Sequence, residues 1–318
     1  MKTLFSLVFQ QKMTLVGLAM LGIFIGGALL APWIAPHPPE QLYEPLRPPS
    51  SQHPLGTDDV GHDLLSELIY GARASLSISL VAALASTLIG LWLGTIAGYS
   101  EGQPGNYVGF MIMRVVDILM VIPRFPLIVL MSAFLQPGAG TLILFFTLFG
   151  WPRAARLARA QILSERTKDY VQAARLIGAS DRRILIRHLM PSVLPIALTR
   201  FVIEFQHVIL AESGLSFLGL GNPMVKSWGM MLSYAFRYPT IFITNLWVRW
   251  IVPPGMCITL VVLALTFLSF SLDIWANPRL KTWSARGITL TTHKPRIERE
   301  QATGFAPRTK PFRPLPRT

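Results

Sequence analysis

Long apolar runs alternate with short polar segments along the chain. Six of these runs reach the roughly 20 mostly apolar residues that a helix needs to cross the hydrocarbon core of a bilayer. None of them shows the two-residue alternation of a strand, so helices are expected rather than a barrel. The pattern therefore predicts an all-α integral membrane protein with six transmembrane helices, at residues 13–34, 75–99, 107–135, 140–162, 193–216 and 251–276.

The first apolar run has two interpretations. Lys2 and Lys12 precede it, as basic residues precede the core of a signal peptide. The apolar core is longer than a typical signal-peptide core, however, and no small-x-small cleavage site is followed by a soluble mature chain. An uncleaved membrane anchor is therefore favoured, followed by a proline-rich stretch at residues 32–54.

Basic residues cluster beside the apolar runs. Residues 153–187 hold nine Lys and Arg against three acidic residues, and residues 279–317 hold ten against two. The positive-inside rule places such segments in the cytoplasm. With six crossings, both termini (residues 1–12 and 282–318) are then cytoplasmic. The long connections on the opposite, periplasmic side are residues 35–74 and 217–250.

Composition supports the membrane assignment. Apolar residues make up 52% of the chain and charged residues 14%, whereas about 25% of a soluble domain is charged. Membrane topology and anionic lipid explain the net charge of +13 better than nucleic-acid binding does. The tail from residue 282 has no apolar period, so disorder and attraction to lipid are expected there. Cys257, the single cysteine, lies in an apolar run and is assigned a packing role.

Several charged residues fall inside the predicted spans, where they are costly and often functional. Arg114 and Asp117, three residues apart, and Arg200 and Glu204, four apart, share helix faces and could compensate each other as internal ion pairs. The alternative hypothesis assigns charges of this set, above all Arg124 and Glu204, to the translocation pathway of a zwitterionic cargo. Arg124 lies between two prolines, and a helix kinked there would suit a gate.

Glycines recur every fourth residue in the second span, at Gly90, Gly94 and Gly98. Such a stripe lets another helix backbone approach closely, in a bundle or in a dimer.

Catalytic and metal-binding patterns are largely missing. The chain has no G-x-x-x-x-G-K-[ST] phosphate loop, and therefore no means of hydrolysing ATP by that chemistry. His37, His53 and His62 share one loop and could gather a metal ion, but their wide spacing favours ordinary solvated histidines. We therefore expect no catalytic residue, no metal and no cofactor in this chain.

The segment 170–191 carries the most specific pattern. Its residues Gln172-Ala173-Ala174, Gly178 and Pro191 are similar in type and spacing to the EAA loop of bacterial ABC importer permeases. Glutamine replaces the usual glutamate, and His188 and Met190 replace the usual isoleucine and leucine before the final proline.

Two further segments resemble the dipeptide/oligopeptide/nickel subfamily of these permeases, in its second or "C" type. Residues 53–76 begin His-Pro-Leu-Gly-Thr-Asp and read Gly-His-Asp at 61–63, where the family usually reads Gly-Arg-Asp. Residues 212–223 read Glu-Ser-Gly-Leu-Ser-Phe-Leu-Gly-Leu-Gly-Asn-Pro. The resemblance implies the ABC importer type I permease fold, with a core permease domain at residues 75–281.

The resemblance also implies a coupling mechanism. The cytoplasmic loop 163–192 would fold as two short helices with a turn near Gly178, and the first helix would insert into a groove of an ATPase subunit. The implied coupling residues are Gln172, Ala173, Ala174, Gly178, Arg182 and Pro191. Arginines of this loop could contact either the ATPase or lipid phosphates.

The implied complex supplies what this chain lacks. It contains a homologous permease subunit, two ATPase subunits or domains that bind ATP and Mg²⁺, and a periplasmic or lipid-anchored substrate-binding protein that delivers peptides or similar small cargo at the cell inner membrane. Candidates for the outer gate or for contact with the binding protein are Asp58, Asp59, Gly219, Gly221 and Asn222. Ordinary turns would explain these residues equally well. A membrane-embedded enzyme or assembly factor that uses the intramembrane charges, with no ATPase partner, is the alternative function.

Overall fold

A computed structural model describes residues 12–101, 107–135, 138–222 and 225–276. Within these ranges the chain is helical, and the only β pairing is an isolated bridge between Thr57 and Asp63. The predicted cytoplasmic N-terminus (1–11) and the predicted disordered tail (282–318) lie outside the described residues.

The helices follow one another in this order: α1 Lys12–Leu29, α2 Ala31–Ile34, α3 Leu64–Ser100, α4 Val108–Val121, α5 Arg124–Phe134, α6 Ala139–Glu165, α7 Asp169–Leu176, α8 Asp181–Ile184, a π-helical turn Leu185–Leu189, α9 Met190–Phe217, α10 Trp228–Arg237, α11 Leu246–Trp250 and α12 Val252–Ala276.

Four helical stretches of the described chain are long and apolar enough to cross a membrane, namely Lys12–Leu29, Leu64–Ser100, Asp181–Phe217 and Leu246–Asp273. The bent pair α4 and α5 makes a fifth if it is one span. Helix α6 has 27 residues but falls outside this group, because arginines interrupt its C-terminal half. A multi-pass helical membrane protein is therefore confirmed, with four or five candidate spans where the apolar pattern predicts six.

Helix α3 begins at Leu64, well before the predicted start of the span at residue 75, so the last part of the predicted periplasmic segment 35–74 is helical. The earlier start follows from a side-chain cap. An oxygen of the Asp63 carboxylate accepts hydrogen bonds from the backbone N–H of Ser66 at 2.8 Å and from its hydroxyl at 2.7 Å. This cap satisfies a donor at the first turn that the helix itself leaves unpaired.

The predicted span 107–135 is two helices rather than one. The axes of α4 and α5 differ in direction by 80°. Ile122 is extended at the end of α4, and Pro123 precedes α5 with ψ 110°. Proline has no N–H to donate and disfavours helical conformation in the residue before it, so the helix ends where the sequence predicts only a kink.

The glycine stripe packs α3 against α6, and the predicted helix-packing role is confirmed. A Cβ atom on Gly90 would lie 2.4 Å from the carbonyl oxygen of Trp151, and one on Gly94 would lie 2.2 Å from that of Ala155. A Cβ on Gly98 would lie 2.9 Å from the carbonyl oxygen of Arg159. The two backbones are therefore closer than any other residue type allows.

A second core joins α3 to α9, α10 and α12. Trp228, at the start of α10, is fully buried there together with Ile209 and Val261. Its indole N–H donates to the carbonyl oxygen of Leu68 at 3.0 Å, so the buried polar atom is satisfied. Cys257 packs against the same core, as its apolar setting predicts.

Gly94→Ala tests the close approach of α3 to α6. We expect it to destabilise the protein by about 1–3 kcal/mol, because the added methyl group overpacks the backbone contact. Gly22→Ala in α1 is the matched control, since no atom lies within 4 Å of the added Cβ. Gly22→Ala should be neutral or slightly stabilising in a helix. Thermal unfolding of the purified variants measures both, and equal melting temperatures would contradict the packing role.

Candidate coupling, gating and external sites

The segment 169–184 folds as two short helices joined by a tight turn. The turn is centred on Gly178, whose φ of 79° lies in the left-handed region. The N–H of Gly178 donates to Arg175 O, and the N–H of Ala179 donates to Ala174 O, each at 3.0 Å. No atom lies within 4 Å of a Cβ built on Gly178. Backbone conformation, rather than crowding, therefore favours glycine at this position.

Helix α7 buries one face and exposes the other. Val171 and Ala174 are buried, Val171 in a cluster with Ile184 and Leu189, whereas Gln172 and Ala173 are exposed. The apolar side chains of Leu176 and Ile177, at the tip of the turn, are exposed by 89% and 85%. Sequence reasoning did not single out this pair, although two adjacent aliphatic residues in a strongly basic segment are a visible signal. An exposed apolar tip of this kind is suited to insertion into a partner protein.

Hydrogen bonds hold the two short helices to the long ones. The hydroxyl of Tyr99, at the end of α3, donates to the Asp181 carboxylate at the start of α8. The hydroxyl of Tyr170 in α7 donates to the Glu165 carboxylate at the end of α6, at 2.5 Å. Partial burial and this hydrogen bond raise the pKa of Tyr170 to about 12. The tyrosine therefore remains a neutral donor at physiological pH.

The turn helices continue into a membrane helix without a loop. Residues Leu185–Leu189 form a π-helical turn that runs directly into α9. Arg182 lies in α8 and is exposed, and Pro191 is the second residue of α9, directly after the π-helical turn. A displacement of α7 and α8 can therefore pass directly to α9.

Arg124 and Glu204 meet at the break between α4 and α5. The Nη1 atom of Arg124 lies 3.2 Å from Glu204 Oε1, and Nη2 donates to the carbonyl oxygen of Gly150 at 3.1 Å. Two cavities, of about 430 and 250 Å³, share the lining residues Arg124, Phe125 and Arg153. Arg124 thus lines both cavities, and Glu204 lines the smaller one, between α5, α6 and α9.

The other predicted intramembrane pairs have different partners. Asp117 accepts from Arg156 of α6 at 2.6 Å, rather than from Arg114 of its own helix. The Arg114 guanidinium lies 4.7 Å from the centre of the Phe110 ring. Neither Arg114 nor Asp117 lines the two cavities at the break. Charge compensation therefore occurs between helices, and only Arg124 and Glu204 of the predicted pathway residues are brought together.

Lys226 organises an acidic cluster near the start of α3. Its ammonium lies 3.0 Å from Asp58 Oδ2 and 3.2 Å from His62 Nδ1, and it also contacts Glu67 Oε1. The cluster borders a cavity of about 710 Å³. Sequence reasoning missed Lys226. The lysine comes from a segment more than 150 residues away from the carboxylates that it contacts.

The charged groups of this cluster shift one another's pKa values. Burial of Asp58 opposes its ionisation, but Lys226 and the backbone N–H of His62 outweigh burial and lower the pKa of Asp58. Burial and the neighbouring Asp58 raise the pKa of Asp59, which lies outside the ion pair. Burial disfavours the Lys226 ammonium, yet Glu67 and Asp58 outweigh that cost and raise the pKa of Lys226.

The predicted external glycines lie beside this cluster in sequence and shape the end of α9. Gly219 has φ 83° and donates its N–H to Ser216 O at 3.0 Å, which closes the helix. A Cβ on Gly221 would lie 2.4 Å from Ser216 Oγ. Asn222 accepts from the N–H of Val225 at 3.3 Å. These residues therefore form a turn at the end of α9, which is one of the two roles that the sequence predicts for them.

The histidines between α2 and α3 differ from the solvated side chains that the sequence favours. The side chain of His53 is 2% exposed and lies 2.9 Å, Nδ1 to Oδ1, from Asp63. His37 is half-buried beside it, with 4.7 Å between the two ring centres. Tertiary folding of the proline-rich stretch buries them, which residue spacing alone does not predict.

The helices, the ion pairs and the basic helix pair described above can now be compared with known proteins. Residues 88–282 match the family described as the binding-protein-dependent transport system inner membrane component. Residues 7–54 match the N-terminal TM domain of oligopeptide transport permease C. This chain therefore belongs to the binding-protein-dependent ABC transport permease family, and is a transport component rather than an enzyme.

Named relatives agree with this assignment. The di/tripeptide transport system permease protein DppC of Pseudomonas aeruginosa is 36% identical over 282 residues, which cover 86% of this chain and 90% of that protein. The dipeptide transport system permease protein DppC of Bacillus subtilis is 33% identical over 275 residues, covering 86% and 83%. These matches do not support a membrane-embedded enzyme or assembly factor.

A solved structure shares the fold. An inward-facing crystal form of the MetNI methionine ABC transporter aligns with a TM-score of 0.53 at 20% identity, over 68% of this chain and 97% of that one. At this identity the similarity concerns the fold alone.

Lys226→Met tests whether the lysine holds the acidic cluster together. We expect a loss of about 3–5 kcal/mol in the free energy of unfolding, because two buried carboxylates lose their cation. Arg47→Met is the matched control, because its side chain is 42% exposed and that of its partner Glu44 is 71% exposed, and such pairs contribute about 0–1 kcal/mol. Adding Glu67→Gln to Lys226→Met should recover part of the loss. Equal stability of the Lys226→Met and Arg47→Met variants would contradict the role.

The same cluster predicts a pH dependence. Since the pKa of Asp58 is lower in the folded state, its stabilising contribution is present at neutral pH and is lost as the pH falls below its ordinary value of 3.8. Lys226→Met should weaken this acid-dependent step in thermal unfolding.

Proposed function

We propose that this chain is the C-type permease subunit of an ATP-driven importer of dipeptides or oligopeptides. The names of its relatives supply the cargo class. The observation that carries the mechanism is the helix–turn–helix at residues 169–184, with its exposed apolar tip at Leu176 and Ile177. The chain crosses the cell inner membrane six times, with both termini in the cytoplasm. Helix α6 provides one of the six crossings, although its arginines make it less apolar than the other spans.

The complete transporter contains partners that supply energy and cargo. A homologous permease forms the other half of the pathway, and two cytoplasmic ATPase subunits bind ATP and Mg²⁺. A substrate-binding protein delivers the peptide to the external face. The nine basic residues between Arg153 and Arg187 support a cytoplasmic position for the coupling loop.

Coupling passes from the loop to the pathway through one helix. ATP-driven closure of the ATPase pair moves α7 and α8, and the π-helical turn transmits this motion to α9. Glu204 is carried on α9, whereas its partner Arg124 begins α5. Motion of α9 therefore changes the 3.2 Å contact between the two side chains.

The ion pair suits a gate for a zwitterionic cargo. Side-chain exposures of 23% for Arg124 and 11% for Glu204 indicate a largely closed contact. When α9 moves, the separated guanidinium and carboxylate can bind the carboxylate and the ammonium of a peptide. Re-forming the pair then releases the peptide, because the two protein charges compensate each other again.

The acidic cluster around Lys226 lies at the external end of the pathway. Asp58 is held by Lys226, while Asp59 is exposed and available to a binding protein. The turn around Gly219, Gly221 and Asn222 forms the adjoining edge of this contact surface. Its two glycines permit the close turn that a bulkier chain would obstruct.

Gly178→Val tests the coupling turn. A β-branched residue in the left-handed region costs about 1–3 kcal/mol, which shifts the population of the turn by roughly 5- to 150-fold. We expect ATP-driven uptake of a labelled dipeptide by the reconstituted complex to fall by about tenfold or more, while membrane insertion is retained. Gly140→Val is the control, because its surroundings are equally open but its φ is not positive. Normal uptake by Gly178→Val would refute the coupling role.

A charge exchange tests the gate. Arg124→Met and Glu204→Gln should each reduce uptake by about tenfold, because each leaves one charge without its partner in a low-dielectric site. The exchanged variant Arg124→Glu/Glu204→Arg should recover part of this loss. Arg156→Met is the control, since its pair with Asp117 is half-exposed on both sides and exposed pairs contribute about 0–1 kcal/mol. Uptake unaffected by either single substitution would exclude a gating role for the pair.

A further inference from the structure

Three aromatic rings pack together in the stretch between α2 and α3. The ring centres of His37 and Tyr43 lie 4.8 Å apart, those of His37 and His53 lie 4.7 Å apart, and those of Tyr43 and His53 lie 4.5 Å apart. Asp63 adjoins them and also caps α3. This group, His37, Tyr43, His53 and Asp63, is called the histidine cluster below.

The hydrogen bonds of His53 leave one ring nitrogen unused. Its Nδ1 lies 2.9 Å from Asp63 Oδ1. A carboxylate oxygen accepts here, so Nδ1 carries the hydrogen, and in the neutral imidazole, the form that binds a metal ion, Nε2 then carries the lone pair. Nε2 is buried and has no hydrogen-bond partner in the described part of the chain. A buried polar atom of this kind requires an explanation, because most have a partner or bind a ligand.

His37 is arranged in the same manner. Its Nε2 lies 3.0 Å from the carbonyl oxygen of Gln52, which can only accept, so Nε2 carries the hydrogen. The lone pair is therefore on Nδ1, which accepts from the Tyr43 hydroxyl at 2.7 Å. Each imidazole thus has an oxygen acceptor behind it and presents one basic nitrogen. Metal-binding histidines have this arrangement, because the acceptor fixes both the tautomer and the ring.

The spacing of the donor atoms is compatible with a shared ion. One ligand atom from each of His37, His53 and Asp63 can be chosen so that all lie within 4.8 Å of one another. Zn²⁺ binds imidazole nitrogen at about 2.0–2.1 Å, so two ligand atoms up to about 4.2 Å apart can share one ion. With Asp63 bonded to His53 Nδ1, the two ligands are the imidazoles, and side-chain rotation has to bring His37 Nδ1 and His53 Nε2 to within about 4.2 Å of each other. His37 is half-buried, which provides a route from solvent.

A neighbouring cluster serves as an internal comparison. Asp58, His62 and Glu67 also place ligand atoms within 4.8 Å of one another. There, however, the ammonium of Lys226 already contacts all three side chains. The histidine cluster has no Lys or Arg among its described contacts, and its unused atom is a nitrogen lone pair.

We propose that His37 and His53 bind a divalent transition-metal ion such as Zn²⁺, with Asp63 orienting His53. Imidazole ligands favour ions of this class over Mg²⁺ and Ca²⁺, which prefer oxygen ligands. Water or the Tyr43 hydroxyl completes the coordination. The ion links His37 and His53 of the proline-rich stretch. His53 is in turn bonded to Asp63, the cap of α3, so the ion also stabilises the attachment of this stretch to the helix.

Zn²⁺ titration of the full-length protein tests the site. The protein is purified in detergent without a polyhistidine tag, and binding is followed by isothermal titration calorimetry. We expect one ion per chain with a dissociation constant in the micromolar range or below, equivalent to about 8 kcal/mol. Zn²⁺ should also raise the melting temperature, since it binds only the folded state.

Substitutions locate the ion. His53→Asn keeps an N–H donor for Asp63 but removes the Nε2 lone pair, and should weaken Zn²⁺ binding by at least about tenfold without unfolding the metal-free protein. His37→Asn should do the same. His62→Asn is the matched control and should leave binding unchanged.

Two results would overturn the proposal. One is a wild-type protein that shows neither calorimetric binding nor thermal stabilisation by Zn²⁺. The other is unaltered binding by both His53→Asn and His37→Asn, which would place the ion elsewhere. Both readouts are independent of transport, so they remain informative even if the proposed cargo is incorrect.

Discussion

The contact between α3 and α6 is the constraint on which the rest of this structure depends. Three glycines allow the two backbones to approach so closely that carbonyl oxygens of α6 occupy the space of missing side chains. Because α3 has 37 residues, it extends for about 55 Å at a rise of roughly 1.5 Å per residue. It carries Glu67 of the acidic cluster near one end and, near the other end, Tyr99, whose hydroxyl donates to Asp181 of α8. A single rigid helix thus connects the two ends that a transporter must coordinate.

Two carboxylates of the predicted spans pair with arginines of other helices rather than with arginines of their own helix. Arg124 reaches Glu204 of α9, and Asp117 reaches Arg156 of α6. Within a membrane such pairs are sensitive to helix position, because an unpaired charge is costly there. This sensitivity makes a helix junction a suitable place for a gate. Because the chain breaks before Arg124, this residue begins α5, and the direction of its side chain does not depend on the axis of α4.

Two polar clusters organise the external stretch by different means. In one, the Lys226 ammonium lies among carboxylates and a histidine; in the other, histidines with oriented lone pairs pack against a tyrosine. Both attach residues before α3 to more distant structure, and Arg249 of α11 adds a hydrogen bond to Arg47 O at 2.7 Å. The polypeptide between α2 and α3 is therefore held by side chains together with backbone hydrogen bonds between its own turns, such as those from Tyr43 N–H to Gly61 O and from Leu46 N–H to Asp58 O, each at 2.9 Å.

The sequence by itself determined those features that depend on local chemistry. Apolar length predicted membrane helices, the glycine period predicted their packing, and Gly178 with its neighbours predicted a turn between two short helices. The motifs around that turn also identified the family. The cap at Asp63 is equally local. The first turns of α3 contain polar residues, however, so a search for apolar runs placed the start of this helix too late.

Only the tertiary structure decided which distant groups meet. The partners of Glu204 and Asp117, the part of Lys226 in the acidic cluster and the burial of His53 depend on contacts between segments far apart in sequence. Helical periodicity describes one helix at a time, so it favoured pairs three or four residues apart. The lower-cost arrangement of buried charge was between helices, because packing in a bundle brings other faces together and excludes the water that would otherwise solvate them.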